Sequence, residues 1–408
     1  MAPTDHARPP SPTRSLAMAA EMKMRYGCNP HQAPARCYRR DGGELPLQML
    51  NGSPSYINLM DALHAWPLVR ELKAAIGLPA AASFKHVSPA GAAVAVPLSQ
   101  ALRETYFVDD LELSPLAVAY ARARGADRLA SFGDWIALSD PVDLPTAELI
   151  QREVSDGIIA PGYAPEALAL LRAKKDGKYP VFEIDPAYEP TTTETREVFG
   201  LTLEQRRNDF IPGEEFLAKV VTRRTEIPAA ARRDLLVATI SLKYTQSNSV
   251  CLALDGQVIG SGAGQQSRVH CVRLAASKAD NWYLRQHPRV RGMEFARNVR
   301  RAERINAIDL YLQDEATPAE LKAWEESFTR VPERLTAVEK RQWLDGLKGV
   351  ALSSDAFFPF RDSIDRAQRS GVEYVVQAGG SLRDDLVVAA ADDYGMVMVC
   401  SGVRLFTH

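Results

Sequence analysis

Apolar residues recur along this chain in two alternating rhythms. In PSYINLMDALHAWPLVREL, residues 54–72, Leu59, Leu63, Trp66 and Val69 fall at helical spacing, and Pro67 predicts a kink or split there. AAASFKHVS (80–88) is a short continuous apolar run and reads as a buried strand; AGAAVAVPLSQALRETY (90–106) reads as a small-residue segment entering a helix. SPLAVAYARARGADRLASFGDWIALSD (114–140) gives helix, turn and strand, and residues 146–175 give a helix, a strand ending at Pro161-Gly162, and a helix. A second round opens near Asp234, where DLLVATISLK reads as a strand. A polar loop, a hairpin turning at Asp255-Gly256, a Gly-rich loop and a helix from about Ser267 follow. From Val350 onward come strand, aromatic loop, helix, strand, Gly-Gly loop, helix and a last strand. The run GMVMVC (395–400) predicts that this last strand is buried and carries the terminus into the protein.

Strands alternating with helices predict an α/β layered fold. Ser83-Phe84-Lys85-His86 and Ser241-Leu242-Lys243-Tyr244 share the form Ser-apolar-Lys-aromatic, each closing an apolar run, which suggests a duplicated unit. The organisation expected is a disordered Pro-rich tail (1–23), a first α/β unit (24–195), a second one (196–284 and 346–408) and a charged helical insertion (285–345).

Composition narrows the function classes. The 408 residues are 46% hydrophobic and 25% charged, with formal net charge −2, so no basic excess points to nucleic acid or an anionic membrane. The basic run Arg297–Arg304 is interrupted by Glu303 and reads as a solvated face or a subunit contact. No stretch reaches the ~18 apolar residues of a membrane span. The five cysteines are odd in number and form no C-x-x-C, which fits a reducing cytoplasm better than a disulfide framework or structural zinc.

Six polar loops concentrate the chemistry: KHVSPAG (85–91), SDGIIAPGY (155–163), KYTQSNS (243–249), GAGQQSRVH (262–270), SSDAFFPFRD (353–362) and VRLFTH (403–408). Lys85 and His86, at a junction read as strand-to-helix, are either an accident of solvation or an acid and a base. The Gly-rich loop is either a plain turn or an anion cradle assisted by Arg268. Phe357, Phe358 and Phe360 suit a core, but Pro359 among them breaks any regular period. Asp156 could cap a turn, and Lys243 reads as a solvated lysine. His31, His64, His270 and His287 read as structural or surface residues.

Taken together, MRYGCNPHQ, LNGSPSYINLMDALHAW, SFKHVSPAGAA, REVSDGIIAPGY, KYTQSNSV, GQVIGSGAGQQSRVHCVRLA, SDAFFPFRDSIDRA and RLFTH resemble the 5-aminoimidazole-4-carboxamide ribonucleotide (AICAR) formyltransferase part of the bifunctional purine biosynthesis family, from about Met24 to His408. The resemblance implies a duplicated cytidine-deaminase-like α/β/α unit with mixed sheets, and a homodimer with active sites at the subunit interface. It implies transfer of a formyl group from the co-substrate 10-formyltetrahydrofolate to the 5-amino group of AICAR, giving FAICAR and tetrahydrofolate. The deaminase zinc signature is absent, so no zinc is expected. Only 24 residues precede Arg25, so a stand-alone formyltransferase is expected, with a separate IMP cyclohydrolase acting downstream.

Residue by residue, the resemblance implies catalytic roles for Lys85, His86, Asn248 and His408. It implies AICAR contacts by Arg25, Tyr26, Asn58, Gly133, Asp156, Arg268, Phe357 and Arg404. Folate contacts fall on Leu129, Phe132, Val269, Pro359, Phe360 and Asp362, and a potassium ion on Thr245, Ser247, Ser249, Asp355 and Leu405. The chain departs from the family pattern at Ser363, where asparagine is usual, and at Thr407, where histidine is usual. A formyltransferase for a related aminoimidazole nucleotide and a non-catalytic AICAR- or folate-binding module are the alternatives.

Overall fold

The computed structural model describes residues 20–53 and 55–408. A hairpin of β1 (Glu21–Met24) and β2 (Ala35–Tyr38) precedes β3 (Leu47–Asn51) and the long helix α1 (Tyr56–Ile76). Next come β4 (Ala80–Lys85), β5 (Ser88–Val94), α2 (Gln100–Thr105), α3 (Pro115–Gly125), β6 (Asp134–Leu138), α4 (Leu144–Arg152), β7 (Ser155–Ala160), α5 (Pro165–Ala173) and β8 (Val181–Ile184). A fully exposed ribbon of β9 (Thr193–Val198) and β10 (Leu201–Arg206) leads to α6 (Ala229–Lys243), β11 (Val250–Leu254), β12 (Gln257–Gly262) and α7 (Arg268–Leu284). Four helices occupy the charged stretch: α8 (Pro288–Arg291), α9 (Arg301–Leu312), α10 (Pro318–Glu325) and α11 (Ala337–Leu344). The chain closes with β13 (Val350–Ser354), α12 (Asp362–Gln368), β14 (Val372–Gln377), α13 (Asp384–Asp393) and β15 (Val397–Cys400). Among the described residues, no helix is long and apolar enough to cross a membrane.

Eleven strands form one mixed sheet in the order β15-β14-β13-β11-β12-β5-β4-β6-β7-β8-β3. On one side of its centre β4 is antiparallel to β5 and β6, and β6, β7 and β8 run parallel. On the other, β11 is antiparallel to β12 and β13, and β13, β14 and β15 run parallel. The halves join where β12 meets β5 antiparallel, Gln257 opposite Ala93. The long helices α1 and α6 cover one face of the sheet. The other face is packed by Tyr120 of α3, Ile150 of α4, Leu171 of α5, Val272 of α7, Ile364 of α12 and Val387 of α13. Strands buried on both faces are mostly apolar, with buried polar residues such as Ser83, Asp134, Gln257 and Ser353 among them, so they carry no alternation.

Several expectations are corrected. DLLVATISLK is helix α6, not a strand: Asp234–Lys243 are buried all round, which erases the one-sided stripe that would have marked a helix. Lys85 and His86 stand at a β-hairpin turn, because Pro89–Gly91 belong to β5 rather than to a loop entering a helix. The two Ser-apolar-Lys-aromatic segments are therefore not equivalent, one ending a strand and the other a helix. Lys243 is buried and bonded to Glu71 at 2.7 Å, its positive charge neutralised inside the fold. Helix α1 runs through Pro67 as one element, with Leu59, Trp66 and Val69 buried and Leu63 exposed. The expected tail falls outside the described residues up to position 19, but Glu21–Met24 are paired in β1, and the expected boundary at 195/196 lies inside β9.

Candidate active site

Strand polarity puts five of the six polar segments, and the Ser155-Asp156 start of the sixth, on one edge of the sheet; Pro161–Tyr163 lie at the opposite edge, beyond the end of β7. β4 ends there at Lys85, and its antiparallel neighbour β6 begins there after Phe132 and Gly133. β7, parallel to β6, begins there at Ser155 and Asp156. In the other half β11 begins there after Asn248 and Ser249, β12 ends there before Arg268, and β13 ends there before Asp355. The C-terminal segment leaves β15 at the same edge.

The turn after Lys85 is unusual. Two-residue hairpin turns of this kind need positive φ at both central positions, normally filled by Asn-Gly or Asp-Gly. The β11–β12 turn obeys, with Asp255 at φ 51° and Gly256 at 76°. The β4–β5 turn uses His86 at φ 52° and Val87 at 55°. A β-branched residue in the left-handed region is strained. Asp61, a buried carboxylate on α1 that the sequence reading missed, accepts the Val87 N–H at 2.7 Å and holds this turn. Burial raises the Asp61 carboxyl, opposed by the Val87 hydrogen bond and then by the charge of the nearby His86. The sequence signal for Asp61 is an acid placed inside an apolar helical stretch, shared with Glu71 ten residues on. Asp61→Ala orphans the Val87 N–H and is expected to cost about 1–3 kcal/mol, while Asp61→Asn keeps an acceptor and costs less, as read from urea unfolding.

Lys85 is half-buried, and its Nζ donates to the Phe132 carbonyl at 2.6 Å. His86 is exposed. Phe132 is exposed and precedes Gly133, whose φ is 73°; a Cβ at Gly133 would lie 3.7 Å from Oδ2 of Asp156. Asp156 is exposed and paired with Lys175 at 2.8 Å. Lys85, Phe132, Gly133 and Asp156 thus form one group.

Buried charges fix this group from below. Arg124 donates to Asp134 at 2.8 Å, to the Ser131 carbonyl at 2.7 Å, to Glu153 at 3.0 Å and to the Val154 carbonyl at 3.1 Å. Glu153 also receives Arg301 at 2.8 Å and Arg128 at 3.3 Å. Burial alone would raise the Glu153 carboxyl, but Arg128, Arg124 and Arg301 overcome it and hold it at about 2.

A second group centres on Asp355, which is fully buried. Its Oδ2 accepts from Ser247 Oγ at 2.7 Å, Ser249 N at 2.9 Å and Ser249 Oγ at 3.1 Å, and its Oδ1 pairs with Arg268. Arg268 also donates to the Ser249 carbonyl at 3.0 Å and to Asn248 Oδ1 at 3.1 Å, so its guanidinium is largely engaged within the protein. Leu405 N–H donates to the Asp355 carbonyl at 2.9 Å, and Thr407 N–H to Ser247 Oγ at 2.9 Å. Four of the five potassium positions therefore meet at Asp355, whereas the Thr245 hydroxyl donates to the Ser241 carbonyl. Ser88 Oγ accepts from the Gln246 N–H at 3.3 Å, so the β4–β5 hairpin touches the loop that carries Asn248.

The remaining expected positions differ in exposure. Arg25, Phe357, Phe360, Asp362 and Arg404 are exposed, and Tyr26, Asn58, Leu129, Val269 and Pro359 are partly buried. Phe358 is core, so the three phenylalanines divide between packing and surface. Burial of the C-terminal segment reaches Leu405, but His408 is exposed, its ring against Phe406 and its carbonyl accepting from Arg196 on β9. The terminus is thus pinned to the surface rather than carried inside. Also missed was the pair Glu71–Lys243, which ties α1 to α6 with Tyr244 donating to Glu71 at 2.7 Å.

Fold and edge together define a three-layer mixed α/β protein whose chemistry-bearing loops gather along one side of a single sheet. The family model described as AICARFT/IMPCHase bienzyme matches residues 3–278, more than half of the chain. The chain belongs to this family. It is 34% identical over 400 residues to the bifunctional purine biosynthesis protein PurH of Cereibacter sphaeroides (strain ATCC 17029 / ATH 2.4.9), covering 97% of this chain and 61% of that protein. It is 33% identical over 402 residues to the protein of the same name from Ruegeria sp. (strain TM1040), again 97% and 61%. The chain thus spans about three fifths of the length of these relatives.

Proposed function

We propose that this chain is a formyltransferase that moves the formyl group of 10-formyltetrahydrofolate to the 5-amino group of AICAR. The observation that carries the reading is the Lys85-His86 pair on a turn held against its own backbone preference, in a chain of this family. The amine is a weak nucleophile because its lone pair is delocalised into the imidazole and carboxamide. Attack needs a base, the developing oxyanion needs a donor, and N10 of the folate leaves best when protonated. His86 takes the proton from the attacking amine. Lys85 Nζ, positioned by the Phe132 carbonyl, supplies positive charge to the oxyanion or a proton toward N10. Asn248 orients the formyl group, and His408 lies at the margin of the site. Arg25 and Arg404 are exposed guanidiniums suited to phosphate. Asp156 accepts from ribose hydroxyls, while Phe132, Pro359 and Phe360 give the folate an apolar wall.

Spacing supports a homodimer with its sites between subunits. Adjacent strands are ~4.8 Å apart, so the six steps from β7 to β13 span roughly 29 Å of sheet edge, too far for Asp156 and the Phe357 loop of one chain to bracket one nucleotide. A second copy would bring the two groups together. The β9–β10 ribbon, with Val198, Phe199, Leu201 and Leu203 exposed, is an isolated hairpin of a kind that needs a packing partner. Phe199→Asp is expected to weaken self-association about 30-fold or more, read by sedimentation velocity.

The matching strand order and polarity of the halves support a duplicated deaminase-like unit. The oxygen donors around Asp355 are of the type an alkali cation takes. Because Arg268 already neutralises that carboxylate, such an ion would be structural, held by hydroxyl and carbonyl oxygens. Five free thiols support a reducing, cytoplasmic setting.

The test is to mix the protein with AICAR and 10-formyltetrahydrofolate and follow tetrahydrofolate. Stoichiometric release with formation of FAICAR is expected. Binding of both ligands without release would instead mark a non-catalytic binding module.

A further inference from the structure

A cavity of about 270 Å³ lies between the first half of the fold and the α8–α9 segment, and none of the site residues named above lines it. Its walls include Arg128, Arg285, Arg291 and Arg304, together with Phe107 and Phe295. Glu104 and Asp109 also line it, and Glu153 and Asp309 pair with Arg128 and Arg285, so among the described residues Arg304 is the one lining guanidinium without a carboxylate partner.

The arginines are not equally free. Arg291 is paired with Glu104, and Arg285 reaches Asp309 only at 3.4 Å. Arg304 donates Nε to the Val299 carbonyl at 3.2 Å and lies over the Phe295 ring at 5.4 Å. Its terminal nitrogens make no hydrogen bond or ion pair among the described residues. Arg128 is buried, and its Nε has no hydrogen-bond partner. Burial lowers the Arg128 guanidinium; Glu153 opposes this, and Arg124, Arg301 and Arg285 lower it further. The uncommitted donors among the lining guanidiniums therefore include the terminal nitrogens of Arg304 and Nε of Arg128, which an anion would satisfy. The run Arg297–Arg304 is consequently more than a solvated face: Arg301 anchors α9 to Glu153 and to the Phe107 carbonyl, and Arg304 turns to the cavity.

We propose that this cavity is a second binding site, for a nucleoside monophosphate. At about 270 Å³ its volume lies just under the roughly 300–1,000 Å³ of ligand pockets, which excludes a folate or a dinucleotide and sets a nucleoside monophosphate as the upper limit of size. Arg304 and Arg285 receive the phosphate, as guanidiniums do well. Phe295, Ile305 and Ile308 offer the base an apolar wall, and Asp109 accepts from hydroxyl or amino groups. The site also adjoins the loop before β6: Arg128 lines the cavity one residue ahead of Leu129 in that loop.

The full chain tests this by equilibrium dialysis with labelled AMP and GMP in the presence of saturating AICAR. One nucleotide per chain is expected to bind without displacement by AICAR. Arg304→Gln and, separately, Phe295→Leu should each weaken it at least tenfold with the melting temperature unchanged. The proposal is overturned if neither nucleotide binds, if AICAR displaces both, or if AICAR-resistant binding is the same in both variants. It is also overturned if Arg404→Gln, rather than the cavity variants, removes the binding.

Discussion

Lys85→Ala and His86→Ala are each expected to lower turnover about a hundred- to ten-thousand-fold, the range for losing a positioned acid or base, with AICAR affinity within a few-fold of the parent. Phosphate and ribose recognition would fall on Arg25, Arg404 and Asp156, which neither substitution touches. Ground-state binding should therefore survive while the transition state loses its proton traffic. The two variants should also differ. Lys85 makes a structural contact to the Phe132 carbonyl at 2.6 Å, so its loss also frees the loop proposed to face the folate and should raise KM for the folate. His86 is exposed and its turn is held through the Val87 N–H, so His86→Ala should act on kcat alone. Steady-state kinetics with AICAR titration calorimetry reads both effects. Near-parental turnover in either variant removes that residue from the mechanism.

How much of this was legible in the sequence depended on how far the deciding contact lay along the chain. The α3–β6–α4–β7–α5 succession was readable because each apolar run is bounded by its own turn residues. The β11–β12 hairpin was readable because Asp255-Gly256 is the local chemistry that turn requires. The β4–β5 turn was not: His86-Val87 carries no turn signal, and its stabilising partner Asp61 is 26 residues away. Lys243 looked solvated because Glu71, which neutralises it, is 172 residues away. Helix α6 was misread because burial on every side removes periodicity, the one cue that separates a helix from a buried strand. Lys85, His86, Asp156, Arg268 and the phenylalanine loop stood out in the polar segments themselves, but the roles of these and the other candidate residues came from motif resemblance, not from pattern. What pattern could not supply was the strand polarity that gathers those loops on one edge, or the six strand steps, roughly 29 Å at ordinary spacing, from β7 to β13.

The second large effect concerns Glu153. Glu153→Ala is expected to destabilise the protein by about 3–5 kcal/mol, because it leaves Arg124, Arg128 and Arg301 facing one another in the interior. The pH dependence distinguishes this from mere loss of packing. The Glu153 carboxyl stands at about 2 in the fold against an ordinary 4.5, so its stabilisation is fully present above pH 4.5 and is lost as pH falls from there through about 2. That shift corresponds to roughly 3 kcal/mol. The stability gap between the parent and Glu153→Gln, measured by denaturant unfolding, should accordingly be widest above about pH 5 and shrink toward pH 2. A gap independent of pH would mean that shape, not charge, is what Glu153 contributes. The consequence reaches the site, because Arg124 holds both Asp134 and the Ser131 carbonyl, and those two positions flank Phe132 and Gly133. Losing one of its two carboxylate partners weakens the hold of Arg124 on that loop, so Glu153→Gln should raise KM for the folate even above pH 5, where most of the protein remains folded.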